Sequence, residues 1–400
     1  MQSAGAPRIQ IADLAAGVAG GVAGVAPLDD AGQVRDPLVL VDLDADLDVE
    51  LDDRTRAEIV VRAAASARSG GRLFVGTASR VPAPALRPLL AALDLTLVAA
   101  GPATVSATLS ATGPAIVSTT GPATGPATGP ATGPATVSVP RECVAVDDPQ
   151  AAAAALAGVI ASVPQAALVL AQVLRASEPL PAAAALDVES FAYSTLLGGP
   201  EFRRWLAGRG GRSQPGSVPE PVLISRHGER LHVTLNRPDR RNAYGRQLRD
   251  ALADALRIAV LDPGIARVVL DGAGPAFCSG GDLAEFGTAP DLATAHFVRT
   301  LGGAGRLASE LAGRMEARVH GPCVGAGVEL PAFAGTVVAA PGTTFSLPEV
   351  RMGLIPGAGG TVSIPRRIGR WRTLHLALSG EPLSTGTALA WGLADQVRPE

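Results

Sequence analysis

Two glutamates twenty residues apart, Glu329 and Glu349, each sit in a glycine-rich frame, HGPCVGAGVEL and FSLPEVRMGLIPGAGG. A third frame, GAGPAFCSGGDLAEF at 272–286, precedes them. Glycines let main-chain N–H groups face a cavity with no side chain in the way. Such donors at a helix start favour negative charge, so two of them could hold an anion forming on a carbonyl oxygen. Two carboxylates in one partly dry pocket have raised, coupled pKa values, which suits proton transfer near neutral pH. Each frame also has a plainer reading. The SGGD run could be an ordinary strand-to-helix turn. Glu329 could be a capping-box glutamate reaching back to its own helix start, and Glu349 could pair with Arg351.

The elements that must position these groups are legible around them. The block ARVVLDGAG reads as a buried strand running into the first frame. Gly325-Ala326-Gly327 starts an apolar helix, VELPAFAG, that carries Glu329. Pro348 biases Leu347 toward extended backbone, so Glu349 lies where a strand meets a turn. The run PGAGG at 356–360 begins another helix, whose free N–H groups could hold a water or a ligand. Upstream, VLISRHGERLHVTLNRP alternates on both sides of His227-Gly228 and predicts a β-hairpin, followed by a helix over 244–261.

The first half alternates strands and helices without carrying chemistry. PLVLVDL (37–43), RLFVGT and LTLVAAG read as strands, with a helix from an Asp52 or Asp53 cap to Gly70 and another around 83–93. From 101 to 140 the tetrapeptide Gly-Pro-Ala-Thr recurs, predicting an extended, solvated spacer. Two helices meeting near Pro164 are expected over 151–176 and a further helix over 186–206. A linker at 209–220 then opens the last region.

Composition narrows the function classes. The 400 residues suit two domains, and a formal net charge of -3 gives no reason to expect nucleic acid. There is no lysine, which removes the P-loop. Three scattered cysteines and five histidines show neither CxxC nor HExxH spacing, so neither a metal site nor a disulfide framework is expected. The uncharged run 151–174 is long enough to span a bilayer, but it reads better as packed helices. A soluble, cytoplasmic protein without a membrane partner is the expectation.

Residues 221–400 resemble the crotonase superfamily, the enoyl-CoA hydratases and isomerases. The matching pieces are LNRPDRRNA (235–243), AFCSGGDLAEF, HGPCVGAGVEL, FSLPEVRMGLIPGAGGT and ALSGEPLSTGTALAWGLADQV, in the family's order. The resemblance implies an α/β fold: a crotonase-like ββα superhelix over 221–400. It would be preceded by a smaller, degenerate α/β region at 1–100, the spacer at 101–140, and a helical segment at 141–208. It implies Gly281 and Ala326 as oxyanion-hole donors and Glu329 and Glu349 as the acid–base pair. Asp282, Leu283 and Ala284 would line the thioester channel beside Gly357, and Arg240 or Arg241 would meet the nucleotide end of coenzyme A. The implied activity is hydration of an α,β-unsaturated acyl-CoA, with coenzyme A as part of the substrate and no other cofactor. An enoyl-CoA isomerase, or a non-catalytic acyl-CoA binder or assembly partner, is the alternative.

The chain also departs from the family pattern. Glu316 and Arg318 occupy a strand that is usually apolar, Pro331 follows Glu329 closely, and Gly335 stands where aspartate is common. Family members continue beyond the GLADQV motif with helices that close the site and build trimers. Residues 141–208 resemble those helices. The first half is therefore expected to be a degenerate crotonase-like copy whose helices serve the second half, within or between chains, in a homo-oligomer of the trimer or hexamer-of-trimers type.

Overall fold

The computed structural model describes residues 6–17, 28–30, 32–44, 51–69, 71–101, 139–210 and 216–399. Nearly all of the Gly-Pro-Ala-Thr stretch lies outside the described residues.

Short apolar blocks become strands because they are too short to bury a helical face and are rich in leucine and valine. In the first half these are β1 (Arg8–Gln10), β2 (Leu38–Asp42), β3 (Leu73–Ala78), β4 (Leu95–Ala99) and β5 (Cys143–Val146). All are parallel and lie side by side in chain order. Their unbroken apolar runs suit a sheet covered on both faces. Phe74 and Val98 face a small cluster formed with the helices Asp53–Ser69 and Arg87–Ala92. Leu73, Val75, Leu95 and Leu97 face the opposite way, into the main core. Asp52 accepts the Thr55 amide at 2.8 Å and so starts the first of those helices.

The helices Pro149–Ser162 and Pro164–Ser177 meet at an angle of 108° where Pro164 breaks the run. No single helix among the described residues is long and apolar enough to cross a membrane. The helix expected over 186–206 is two, Ala182–Leu197 and Pro200–Gly208, because Gly198, Gly199 and Pro200 interrupt it. Glu201 turns back to accept the Gln165 and Ala166 amides at 2.7 and 3.0 Å, capping the helix that Pro164 begins.

In the second half β6 (Val222–His227) and β7 (Arg230–Leu235) form the expected hairpin, with Gly228 at φ +61° in its turn. From β7 the sheet continues in parallel through β8 (Arg267–Gly272) and β9 (Met315–Val319). Three short strands leave this plane to make a separate sheet: β10 (Pro322–Val324), β12 (Thr344–Ser346) and β13 (Leu383–Ser384). The main sheet resumes with β11 (Thr336–Ala339) and ends with β14 (Gln396–Val397).

One apolar core runs from the inner face of the first sheet, through the helices of 149–208, into the second half. Polar contacts cross the same junction. Asp94, almost fully buried, accepts the Phe74 amide at 2.9 Å and pairs with Arg175 and Arg370. The Trp371 indole donates to the Leu93 carbonyl at 3.0 Å. The helical segment is thus packed into the second half.

Candidate active site

The first frame is held by a buried asparagine. Asn242 sits at φ +53°, and its side-chain amide donates to the carbonyls of Ala273, Ala276 and Phe277 at 2.9 to 3.0 Å. Its Oδ1 accepts the Arg237 amide at 2.7 Å. Tyr244 then bridges to Gly281: its amide donates to Gly280 O at 2.7 Å and its carbonyl accepts from Asp282 N at 3.3 Å. This pairing turns the Gly281 N–H away from Tyr244, and no described residue accepts it.

The second frame follows β10. Gly325 takes φ +49° and ψ −117°, a conformation that excludes ordinary side chains. The chain reverses there into one helical turn, Ala326–Glu329. Ala326 N–H, first in that turn, also has no acceptor among the described residues. A Cβ on Gly280 would lie 3.0 Å from Val324 O, and one on Gly325 would lie 3.6 Å from Gly280 Cα. The two turns that present the unpartnered amides are therefore in contact.

Glu329 does not cap its own helix. Its Oε2 accepts the amides of Ala358 and Gly360 at 2.7 and 2.9 Å, across space at the start of the helix Gly360–Ile368. The longer helix expected over VELPAFAG stops at Glu329, because Pro331 opens a separate 3-10 turn. Glu349 begins the 3-10 turn Glu349–Met352. Its Oε1 would lie only 2.3 Å from a Cβ on Gly325, and its Oε2 is buried without a hydrogen-bond partner. The alternative pairing with Arg351 is absent, since that guanidinium donates to Ser379 O at 2.6 Å.

A third carboxylate joins from the first half. Glu189, on the helix Ala182–Leu197, accepts Gly359 N at 2.8 Å, Thr361 N at 2.9 Å and Thr361 Oγ1 at 2.7 Å. The four successive amides of 358–361 therefore alternate between Glu329 and Glu189. These donors, expected to be free for a water or ligand, are fully engaged by protein carboxylates. Sequence reading missed Glu189. The available signal was a lone acid on the face that Ala185 and Leu196 mark as buried.

Burial raises all three acids. Glu189 and Glu349 are pushed up to about 7, chiefly by loss of water; the Thr361 and Gly359 donors oppose this at Glu189, and the Glu189 charge adds to it at Glu349. Glu329 is raised well above the usual carboxylate range by burial, then by the charges of Glu349 and Glu189, against the pull of its two amide donors. Aromatic rings close the surroundings. Tyr193 lies where a Cβ on Gly357 would meet its ring at 2.4 Å, with Arg299 over its face at 4.4 Å. Phe286 covers Gly281 and packs edge-on to Trp205 at 5.8 Å. A cavity of about 50 Å³ beside the cluster is lined by Glu189, Tyr244, Arg299 and Ala358; Glu349 and Gly281 do not line it.

The remaining expected binding residues are placed differently from one another. Asp282 is buried and forks onto Arg240 at 2.7 and 3.1 Å, so both side chains brace the loop. The Leu283 carbonyl accepts from Arg209, and Ala284 is buried. Arg241 is exposed, at φ +51°, and its carbonyl accepts Ser279 N at 2.9 Å. Glu316 pairs with Arg267 and Arg318, which explains how charges are tolerated on β9. At Gly335 a Cβ would meet Ala312 O at 2.6 Å, leaving no room for the aspartate common in the family.

A family profile described as enoyl-CoA hydratase/isomerase matches residues 229–400. The 2,3-dehydroadipyl-CoA hydratase of Escherichia coli K12 is 35% identical over 185 residues, covering 44% of this chain and 69% of that protein. The 1,2-epoxyphenylacetyl-CoA isomerase of the same strain is 36% identical over 174 residues, covering 42% and 65%. The chain spans about two thirds of the length of the curated relatives it matches. A solved enoyl-CoA hydratase from Mycobacterium smegmatis is 30% identical, with a TM-score of 0.41 over 45% of this chain and 70% of that one. By the profile match and its likeness to the 2,3-dehydroadipyl-CoA hydratase, the chain belongs to the enoyl-CoA hydratase/isomerase family, the crotonase superfamily.

Proposed function

We propose that the chain hydrates the α,β double bond of an enoyl-CoA thioester. The amides of Gly281 and Ala326 polarise the thioester carbonyl, and such a preorganised donor is worth ~3 kcal/mol in the transition state. One carboxylate of the Glu329–Glu349 pair takes a proton from water as the C–O bond forms at Cβ. The electron pair of the double bond moves toward the thioester oxygen, and the protonated partner then delivers its proton to Cα. Atoms and charge balance: water adds, a 3-hydroxyacyl thioester leaves, and the pair again shares one proton.

The observation that carries this reading is the partnerless, buried Oε2 of Glu349, set beside Gly325 and next to two amide donors that also lack partners. A buried carboxylate oxygen without a donor costs about 1–3 kcal/mol or more, which a structural role does not explain. The named relatives supply the substrate class, since hydratase and isomerase alike carry acyl-CoA in their names. A second reading, isomerisation with Glu349 as the main acid–base group, is favoured by one feature: Glu329 Oε2 is tied to two amides, whereas Glu349 is not.

The test is loss of enoyl-thioester ultraviolet absorbance with crotonyl-CoA, using Glu329→Gln and Glu349→Gln as controls. Turnover that both variants retain rejects the mechanism. Tight coenzyme A binding without turnover favours a non-catalytic binder.

A further inference from the structure

The helix Ala182–Leu197 brings more than bulk to the site. Four consecutive amides, 358 to 361, are divided between two carboxylates that lie far apart in sequence: Ala358 and Gly360 go to Glu329, while Gly359 and Thr361 go to Glu189. Glu189 and Gly359 are separated by 170 positions. All four amides at this helix start are taken by the two carboxylates. Glu329 Oε2 takes both of its amides, and no described residue donates to Oε1. A Cβ on Gly360 would meet Glu329 Cγ at 2.6 Å, so the turn has no spare room around that carboxylate.

We infer that Glu189 is a positioning residue of this site: by holding the Gly359 and Thr361 amides it fixes the turn that orients Glu329, and its charge biases the proton shared by Glu329 and Glu349. This rests on the reading above. The groups facing Glu329 are Glu349 from the turn Glu349–Met352, and Glu189 and Tyr193 from the docked helix. Cys278 faces it from the first frame and Tyr244 from the segment bridged to that frame. Arg299 acts on Glu189 and Tyr193. Removing the Glu189 charge therefore removes one of two like charges against Glu329, and the sign is fixed: Glu329 ionises more readily.

The experiment compares the full-length chain with Glu189→Gln and Thr361→Val. Glutamine offers one acceptor where two amides need one each, so the turn loosens and kcat falls roughly tenfold to a hundredfold. The acid limb of the kcat/KM profile moves to lower pH. Thr361→Val keeps both amides but removes the hydroxyl donor that favours ionised Glu189, so Glu189 carries less charge and the limb shifts the same way by less. Carboxyl carbon NMR of labelled glutamate, with Glu329→Gln used to assign the signal, reads the same shift without turnover. It therefore decides the matter even if crotonyl-CoA is not consumed. A folded Glu189→Gln protein with unchanged limb and unchanged Glu329 titration overturns the inference and makes Glu189 a helix anchor only. If that variant does not fold, an unshifted Thr361→Val titration overturns it instead.

Discussion

The five-stranded and six-stranded sheets follow one logic: mostly parallel strands, laid down nearly in chain order, with helices between. They differ in what leaves the plane. In the second half β10, β12 and β13 leave to form a small separate sheet. The second half's candidate groups emerge beside it. Cys278 bridges to Cys323 on β10, Gly325 follows β10, and Glu349 lies three residues past the end of β12. The register Val324 to Ser346 sets the last two frames side by side. The described part of the first half has no such offshoot and no candidate site; its sheet ends in β5 and then gives helices to the other half. Repetition makes the scaffold, and the departures from repetition place the chemistry.

This contrast predicts separable damage. The largest effect is expected at the offshoot. Glu349→Gln should cost about 10²- to 10⁴-fold in kcat, the usual scale for a general acid–base group. Urea unfolding should show stability equal to or above the parent, because an unsatisfied buried carboxylate is removed. Loss of fold instead would mean that the offshoot is structural.

At the junction, Asp94→Ala leaves Arg175 and Arg370 without their buried partner and should destabilise by about 3–5 kcal/mol. The turnover of the molecules that remain folded should hardly change. A lowered kcat with unchanged stability would show that the halves are catalytically entangled through the first sheet. A milder break is Gly325→Ala. A non-glycine residue at its positive φ costs of order 1–3 kcal/mol, and the new Cβ strikes Glu349 Oε1. Activity should fall further than stability in that variant.

The most gradual effect is in the pH dependence of stability. Glu189 and Glu349 have folded values of about 7 against 4.5 for the free group, so between those limits the folded chain holds more protons than the unfolded one. Stability is thus fully present below about 4.5 and declines as pH rises through 7. Thermal melts should show this decline, and Glu349→Gln should flatten it. An unchanged slope would mean that the acids are wetter than their packing implies.

The sequence revealed the strands well, because buried parallel strands are short apolar blocks between turn residues. It revealed the frames of Gly281, Ala326, Glu329 and Glu349 because glycine is demanded where a Cβ would strike a carboxylate or a carbonyl. Three things were not legible. The helix after Glu329 is shorter than its apolar run suggests, because Pro331 lacks the N–H to continue it and opens a separate 3-10 turn. The breaks at Gly198 to Pro200 were visible as residues but not as a change of direction. The destination of Glu189 depends on how one half docks on the other, and no local pattern encodes a partner 170 residues away.

The shared amides of 358–361 also constrain how the chain is made. The helix bearing Glu189 leaves the ribosome long before the turn that receives it, so its apolar side must wait, undocked, while the second half is synthesised. Contacts of such long sequence separation form slowly. The segment 358–361, made long after Glu189, is what closes the polar centre, and nascent chains halted before Ala358 carry two carboxylates without the four amides that hold them.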